Sequence, residues 1–256
     1  MSFDVAADAY DAFMGAWSRP LSAQLIDFAG VRAGERVLDV GCGPGNLTAE
    51  LVRRLGTDAV AAVDPSAPFV AAAAARHPGV DVRLASAEAL PYPDRSFDVA
   101  LAQLVVHFMV DPVAGLREMG RVTRPGGVVA ASVWDFGGER GPLGPFWEAA
   151  RALDPDVTDE SKLAGARRGH LVELFEAAGL GKVEGRELGV ERAFDGFDAW
   201  WEPFTRAVGP AGTLVARLDP ERRAELKERC RAMLPGGSFA LTAVAWAARG
   251  VVQPAG

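Results

Sequence analysis

The chain has 256 residues, of which 49% are apolar, and its formal net charge is −7. This length and apolar fraction suit one large domain with a buried core, and the negative charge argues against a nucleic-acid partner, because binding to nucleic acid draws on neutralised phosphates. No apolar run reaches the roughly 20 residues of a membrane span, and the amino terminus lacks the basic segment of a signal peptide, so we expect a cytoplasmic protein with no membrane partner.

Predicted strands and helices alternate along the first half of the chain. Apolar strands are expected near 36–40, 59–63, 81–84, 98–103 and 127–133, and helices near 21–29, 46–55, 66–76 and 112–121. This order is typical of an α/β fold with a doubly wound parallel sheet and helices on both faces. Further along, the pattern predicts helices over 170–178 and 220–234 and strands over 182–194 and 239–252.

A glycine-rich turn follows the first predicted strand. Residues 37–45 read V-L-D-V-G-C-G-P-G, with glycine at every second position of the turn. Glycines let backbone N–H groups approach a ligand that a Cβ atom would hold away. The next helix is expected to begin near Asn46 or Thr48, either of which can cap it, so that its positive end faces the same ligand. A dinucleotide fingerprint would need glycine where Asn46 stands, which disfavours NAD.

Four further segments support one assignment. They are Asp64 at the end of the second strand, A-S-A-E-A-L-P over 85–91, F-D-V-A-L-A-Q over 97–103, and R-V-T-R-P-G-G over 121–127. With the glycine turn, they make residues 34–134 resemble the class I S-adenosylmethionine-dependent methyltransferases, in particular the group of menaquinone, ubiquinone and natural-product methylases. The resemblance implies a Rossmann-like sheet of seven strands whose last strand is antiparallel and lies between the fifth and sixth.

The resemblance also implies how one methyltransferase domain is organised along residues 1–256. Residues 1–30 would form amino-terminal lid helices, 31–194 the cofactor-binding core, 195–237 a helical insertion on the substrate side, and 238–256 the final strand and tail. The apolar stripe of Tyr10, Phe13, Met14 and Trp17 fits such a lid, although this spacing is also typical of core packing.

Family roles can be carried over to matching positions for the cofactor, S-adenosyl-L-methionine. Asp39 would hold its α-amino group, the backbone of Gly41, Cys42 and Gly43 would pass under its methionine part, and Ala102 and Gln103 would lie beside that part. Asp64, followed by Pro65, would accept both ribose hydroxyls. Ser86 replaces the usual aspartate at the adenine, where Ala87 and Glu88 would offer backbone contacts. Tyr10 and Arg19 would cover the methionine end.

Candidates for chemistry on the acceptor are few. His107 and Asp135 could act as a base, or each could serve only the structure. Trp134 and Trp200 could line an acceptor pocket, or belong to the ordinary core. Cys42 and Cys230 have no partners at metal-ligand spacing, so neither a metal nor a disulfide is expected.

The function expected from the resemblance is methyl transfer to O, N or C of a small, apolar or aromatic metabolite, by a monomer or homodimer. Two alternatives remain open at the level of sequence. One is a protein of the same fold that binds S-adenosylmethionine without catalysis, and the other is an NAD-linked oxidoreductase.

Overall fold

Seven strands pair into one sheet in the computed structural model, which describes residues 11–254. The strands are β1 (Val37–Val40), β2 (Val60–Asp64), β3 (Asp81–Leu84), β4 (Phe97–Gln103), β5 (Thr123–Trp134), β6 (Gly181–Phe194) and β7 (Phe239–Val251). Their order is β3-β2-β1-β4-β5-β7-β6. Strands β1 to β5 are parallel, whereas β7 is antiparallel to both β5 and β6. The predicted fold, with its last strand between the fifth and sixth, is confirmed.

Nine α-helices connect or cover these strands within the described residues. They are α1 (Ala16–Ala29), α2 (Asn46–Leu55), α3 (Ala67–Arg76), α4 (Pro112–Val122), α5 (Gly144–Leu153), α6 (His170–Ala177), α7 (Phe197–Trp201), α8 (Gly209–Arg217) and α9 (Pro220–Met233). A π-helical turn, Asp11–Gly15, precedes α1. None of the helices in this part of the chain is both long and apolar enough to cross a bilayer.

The core lies in layers on the two faces of the sheet. Val37 at the start of β1 packs with α1 and α2, whereas its neighbour Leu38 packs with α4 and α6 on the opposite face. Successive side chains of a strand point to opposite faces, so an apolar run such as β1 is buried on both sides. All four residues of β1 are buried.

Strand register brings three predicted site positions to one level of the sheet. Ala62 pairs with Asp39, and Asp39 pairs with Leu101 on its other side. Two residues further along each strand stand Asp64, Gly41 and Gln103. The carboxyl ends of the three central strands therefore meet where the glycine turn begins, which is where ligands bind in open α/β sheets.

The start of α2 was predicted correctly, but its capping was not. Gly45 occupies the N-cap position with φ +94°, and no side chain caps the helix. The Asn46 Nδ2 group donates instead to Asp11 Oδ1 at 3.0 Å and to Ser18 Oγ at 3.1 Å, and the Thr48 hydroxyl donates to Asp39. Both candidate caps are engaged by tertiary partners, because the amino-terminal segment and β1 lie against this turn.

The described part of the amino-terminal segment is mostly buried. Phe13, Met14 and Trp17 of the predicted stripe lie in the core, while Tyr10 lies outside the described residues. The segment 195–237 forms three α-helices, α7 to α9, and the helix predicted over 220–234 is α9. Helix α5 was not predicted.

Candidate functional site

A cavity of about 370 Å³ opens at the carboxyl ends of β1, β2 and β4. We call it the edge cavity. Its volume falls within the usual range for small-molecule sites. Seven residues predicted to contact the cofactor line it, namely Asp39, Gly41, Cys42, Gly43, Asp64, Pro65 and Gln103.

The three glycines of the turn serve different purposes. A Cβ atom on Gly41 would lie 2.5 Å from both methyl carbons of Val105, and one on Gly45 would lie 2.7 Å from His77 Nε2. Gly43 has φ +53°, and a Cβ atom there would meet nothing within 4 Å. Packing therefore requires glycine at 41 and 45, whereas at Gly43 the bare backbone faces the open cavity.

The Asp64 carboxylate is fixed at the end of β2 by backbone donors. Its Oδ2 accepts from the Gly43 N–H at 2.8 Å, and its Oδ1 accepts from the Ser66 N–H at 2.8 Å. Burial raises the pKa of Asp64, and these two hydrogen bonds oppose the rise. Each carboxylate oxygen has a second lone pair available. The group can therefore accept two more hydrogen bonds from neighbouring hydroxyls of a ligand in the cavity.

The Asp39 carboxylate is buried deeper in the same wall, with 1% of the residue exposed. Its Oδ2 accepts from the Thr48 hydroxyl at 2.6 Å. Burial raises the pKa of Asp39 to about 7, the Thr48 hydrogen bond lowers it, and the negative charge of Asp64 raises it further. A ligand cation or N–H donor in the cavity would relieve this cost by stabilising the ionised form.

Asp39→Asn is expected to stabilise the ligand-free protein by an amount that grows as pH rises from about 5 to about 8. Because the pKa of Asp39 is higher in the folded protein than in the unfolded chain, this residue favours folding while it is protonated. That contribution is complete at a pH below the pKa of the unfolded chain and is lost as pH rises through about 7. Asparagine does not ionise and can still accept from Thr48. Urea unfolding of both proteins at the two pH values measures the difference, and a difference that does not change with pH would contradict the burial cost assigned to Asp39.

Gln103 presents an acceptor without a partner. Its Nε2 donates to the Ser18 carbonyl at 3.0 Å, which fixes the amide, while its buried Oε1 has no hydrogen-bond partner among the described residues. Buried polar atoms without partners are uncommon in native proteins. Together with Asp39, Asp64 and the open backbone at Gly43, this atom suits a ligand that carries both hydroxyl and amino donors.

The other predicted cofactor contacts lie outside the lining of the edge cavity. Ser86 donates its hydroxyl to Glu88, whose Oε1 accepts from the Val110 N–H at 2.8 Å, and Ala87 is buried between them. Ala102 is fully buried within β4, and Arg19 is exposed on α1. The structure thus brings Asp39, the turn, Asp64 and Gln103 together at the edge cavity. The other five residues lie outside its lining.

A second, apolar cavity of about 40 Å³ adjoins the first and shares Leu104 and Phe108 with it. We call it the inner cavity. It contains two predicted residues, His107 and Trp134, and also Glu160. Burial lowers the pKa of His107 to about 3, and its Nδ1 has no partner among the described residues. The imidazole is therefore neutral, and it can form a hydrogen bond with a group placed in this cavity.

Asp135 and Trp200 line neither cavity. The Asp135 carboxylate accepts from the Gly138 N–H at 2.8 Å and from Arg140 Nε at 2.6 Å, which closes the turn after β5. Trp200 packs against Phe197 and Phe204. These contacts match the structural alternative given for each residue, and their roles toward a substrate stay predictions.

Sequence patterns did not indicate Glu160 or Leu104. Glu160 lies in a polar loop between α5 and α6, where an acidic residue carries no signal of burial. Leu104 has φ +61°, a left-handed conformation that is uncommon for a bulky residue, and it stands between the two cavities. Backbone conformations of this kind cluster at functional sites.

The fold and this site define the class of protein. A doubly wound sheet with a glycine turn, a carboxylate at the end of the second strand and a cavity above both is a nucleoside-cofactor fold. The sequence supports the same class, since residues 38–131 match the family model of a methyltransferase domain.

Comparison with known proteins supports the same class. The chain is 39% identical over 118 residues to a ubiquinone/menaquinone biosynthesis C-methyltransferase of Bdellovibrio bacteriovorus, covering 44% of this chain and about half of that relative (49%). It is 34% identical over 184 residues to a probable S-adenosylmethionine-dependent methyltransferase of Mycolicibacterium smegmatis, covering 66% of this chain and 68% of that one. The fold resembles that of the YcgJ protein of Bacillus subtilis, with a TM-score of 0.59 at 20% identity, covering 91% and 98% of the two chains.

The chain belongs to the class I S-adenosylmethionine-dependent methyltransferases, in the group that resembles ubiquinone and menaquinone methylases. Its cofactor is S-adenosylmethionine.

Proposed function

We propose that the protein transfers a methyl group from S-adenosylmethionine to O, N or C of a small, apolar or aromatic molecule. The observation that carries this proposal is the shared wall of the two cavities, formed by Leu104 and Phe108. A cavity whose carboxylate and amide acceptors suit the cofactor thus adjoins an apolar one that suits part of an acceptor. The bound cofactor supplies a methyl group already activated by its positive sulfur.

On the cofactor side, the proposed contacts follow from the geometry of the edge cavity. Asp64 would accept the ribose hydroxyls with its two free lone pairs, and Asp39 and Gln103 would accept from the amino group. The backbone of residues 41–43 would lie along the methionine part. Pro65 lines the same wall.

Other proposed cofactor contacts rest on family position alone. These are Ser86, Ala87 and Glu88 at the adenine, Ala102 at the methionine part, and Arg19 and Tyr10 over the methionine end.

On the acceptor side, the chain's own task is to orient the acceptor and to keep water out, since alignment supplies much of the rate in such a displacement. His107 and Trp134 would hold the acceptor in the inner cavity. The helical insertion 195–237 would form part of this substrate side, because Val208, Gly209 and Pro210 close the cavity. A base with a pKa of about 3 removes protons poorly at neutral pH, so His107 would act mainly by hydrogen bonding.

Calorimetric titration with three ligands tests the proposal. S-adenosylmethionine and S-adenosylhomocysteine are expected to bind, and NAD is not, because Asn46 occupies the position where a dinucleotide turn needs glycine. Incubation of the protein with S-adenosylmethionine and an extract of small metabolites should then yield S-adenosylhomocysteine. Binding without turnover on any acceptor would favour a non-catalytic cofactor-binding protein, and NAD binding without the sulfur ligands would overturn the proposal.

A further inference from the structure

Glu160 is a buried carboxylate in the wall of the inner cavity. The residue is 4% exposed, and it lies in the loop between α5 and α6. Its Oε2 accepts from Trp147 Nε1 at 3.0 Å. A carboxylate can accept about four hydrogen bonds. This single neutral donor leaves most of that capacity free toward the cavity.

No positive charge compensates this carboxylate within the described residues. Glu160 takes part in no ion pair there, and its neighbour Asp159 adds a second negative charge. Lys162, two residues further along the chain, is exposed and is not paired with Glu160. Arg151 is engaged by Asp159 and Glu139. His107, which lines the same cavity, is neutral. Burial therefore raises the pKa of Glu160 to about 7.

A buried carboxylate without a counter-charge is costly and is ordinarily paired with a cation. Here the remaining space beside it is the cavity itself, so a ligand is the natural source of that charge. An anionic ligand group would be repelled at this position, and a purely apolar one would leave the carboxylate unsatisfied.

The rest of the wall suits a cation as well. Aromatic rings attract organic cations through their faces, and four of them line this small space: Phe13, Phe108, Trp134 and Phe136. A carboxylate within a set of aromatic rings is a combination that recognises an ammonium group. A volume of about 40 Å³ holds only a few atoms, which matches an amino head group rather than a whole metabolite.

We propose that the methyl acceptor is a small amine whose nitrogen is held by Glu160 in the inner cavity. This inference rests on the proposed methyl transfer. Glu160 takes one proton from the ammonium group, which frees the nitrogen lone pair. That lone pair forms the new N–C bond as the C–S bond breaks, and the C–S electrons remain on sulfur as a neutral thioether. One positive charge is thus passed from sulfur to the methylated nitrogen, and Glu160 leaves the step protonated.

Binding measured without turnover tests the role of Glu160. n-Propylamine, cyclohexylamine and benzylamine are titrated into the complex with S-adenosylhomocysteine, each against the alcohol with the same hydrocarbon skeleton. At least one amine is expected to bind about tenfold or more tightly than its alcohol, because hydrogen bonds between charged groups are about twice as strong as neutral ones. Glu160→Gln should remove that preference, while its amide oxygen still accepts from Trp147.

Asp159→Asn is the matched control. It removes a neighbouring carboxylate that lies outside both cavities and pairs with Arg151, so the preference for amines should persist. Equal binding of amines and alcohols, no amine binding, or an unchanged preference in Glu160→Gln would overturn the inference. Failure of S-adenosylhomocysteine to bind the unmodified protein would instead overturn the proposed function. Tight binding of S-adenosylhomocysteine by Glu160→Gln shows that the variant is folded.

Discussion

Asp64→Ala should weaken the binding of S-adenosylhomocysteine by about 1–3 kcal/mol, or about 10- to 100-fold in Kd. The carboxylate is the one group at the edge cavity whose two oxygens are both fixed by backbone donors and both still able to accept. Alanine removes the acceptors for the ribose hydroxyls. It also frees the Gly43 N–H, which Asp64 holds at 2.8 Å, so the glycine turn loses an anchor. Isothermal titration calorimetry measures the change directly.

Asp98→Ala is the control for this substitution. Asp98 lies near the amino end of β4, whereas the edge cavity lies at the carboxyl ends of the strands. Asp98 accepts from the Arg36 N–H at 2.6 Å and pairs with Arg124. Its removal costs comparable hydrogen bonds but touches no part of the edge cavity. Cofactor affinity should therefore be unchanged in Asp98→Ala. An equal loss in both variants would point to general destabilisation, and no loss in Asp64→Ala would remove this carboxylate from the site.

Gly43→Ala is expected to weaken cofactor binding by about tenfold or more while costing about 1–2 kcal/mol of folding stability. The stability cost arises because the residue has φ +53°, which a Cβ atom disfavours by roughly 1–2 kcal/mol. The binding cost arises because the new methyl group enters the edge cavity, where it would hold a ligand away from the backbone. Chemical denaturation and calorimetry separate the two effects.

Gly34→Ala supplies the comparison. Gly34 also has a positive φ, +86°, and a Cβ atom there likewise meets nothing within 4 Å, but the residue lies outside the cavity. The two variants should therefore lose similar stability, and only Gly43→Ala should lose affinity. Equal affinity in both would mean that the cofactor does not approach this backbone.

The parts of the fold and site that sequence predicts are those fixed by local pattern and strand register. The apolar run of residues 37–40 predicts strand β1, and the glycines after it predict a turn with exposed backbone N–H groups. The position of Asp64 beside this turn is predicted because parallel strands end at the same side of the sheet. Gln103 is placed by the same register. These features need no knowledge of distant contacts.

Features that depend on tertiary partners escaped prediction. Asn46 and Thr48 are good caps in isolation, yet Asp11, Ser18 and Asp39 compete successfully for their side chains. Glu160 lies in a polar loop, and it is buried through tertiary contacts such as the one with Trp147 of α5. Asp135 was a candidate base because it directly follows β5, but it is paired with Arg140, five residues later.

A crystal structure of the protein soaked with S-adenosylhomocysteine is the most direct test of the cofactor site. The nucleoside should lie across the carboxyl ends of β1, β2 and β4, with both ribose hydroxyls within hydrogen-bond distance of Asp64 and the amino-acid tail along residues 41–43. Density for the ligand elsewhere, or a cavity filled by the chain's own side chains with Asp64 turned away, would contradict the assignment.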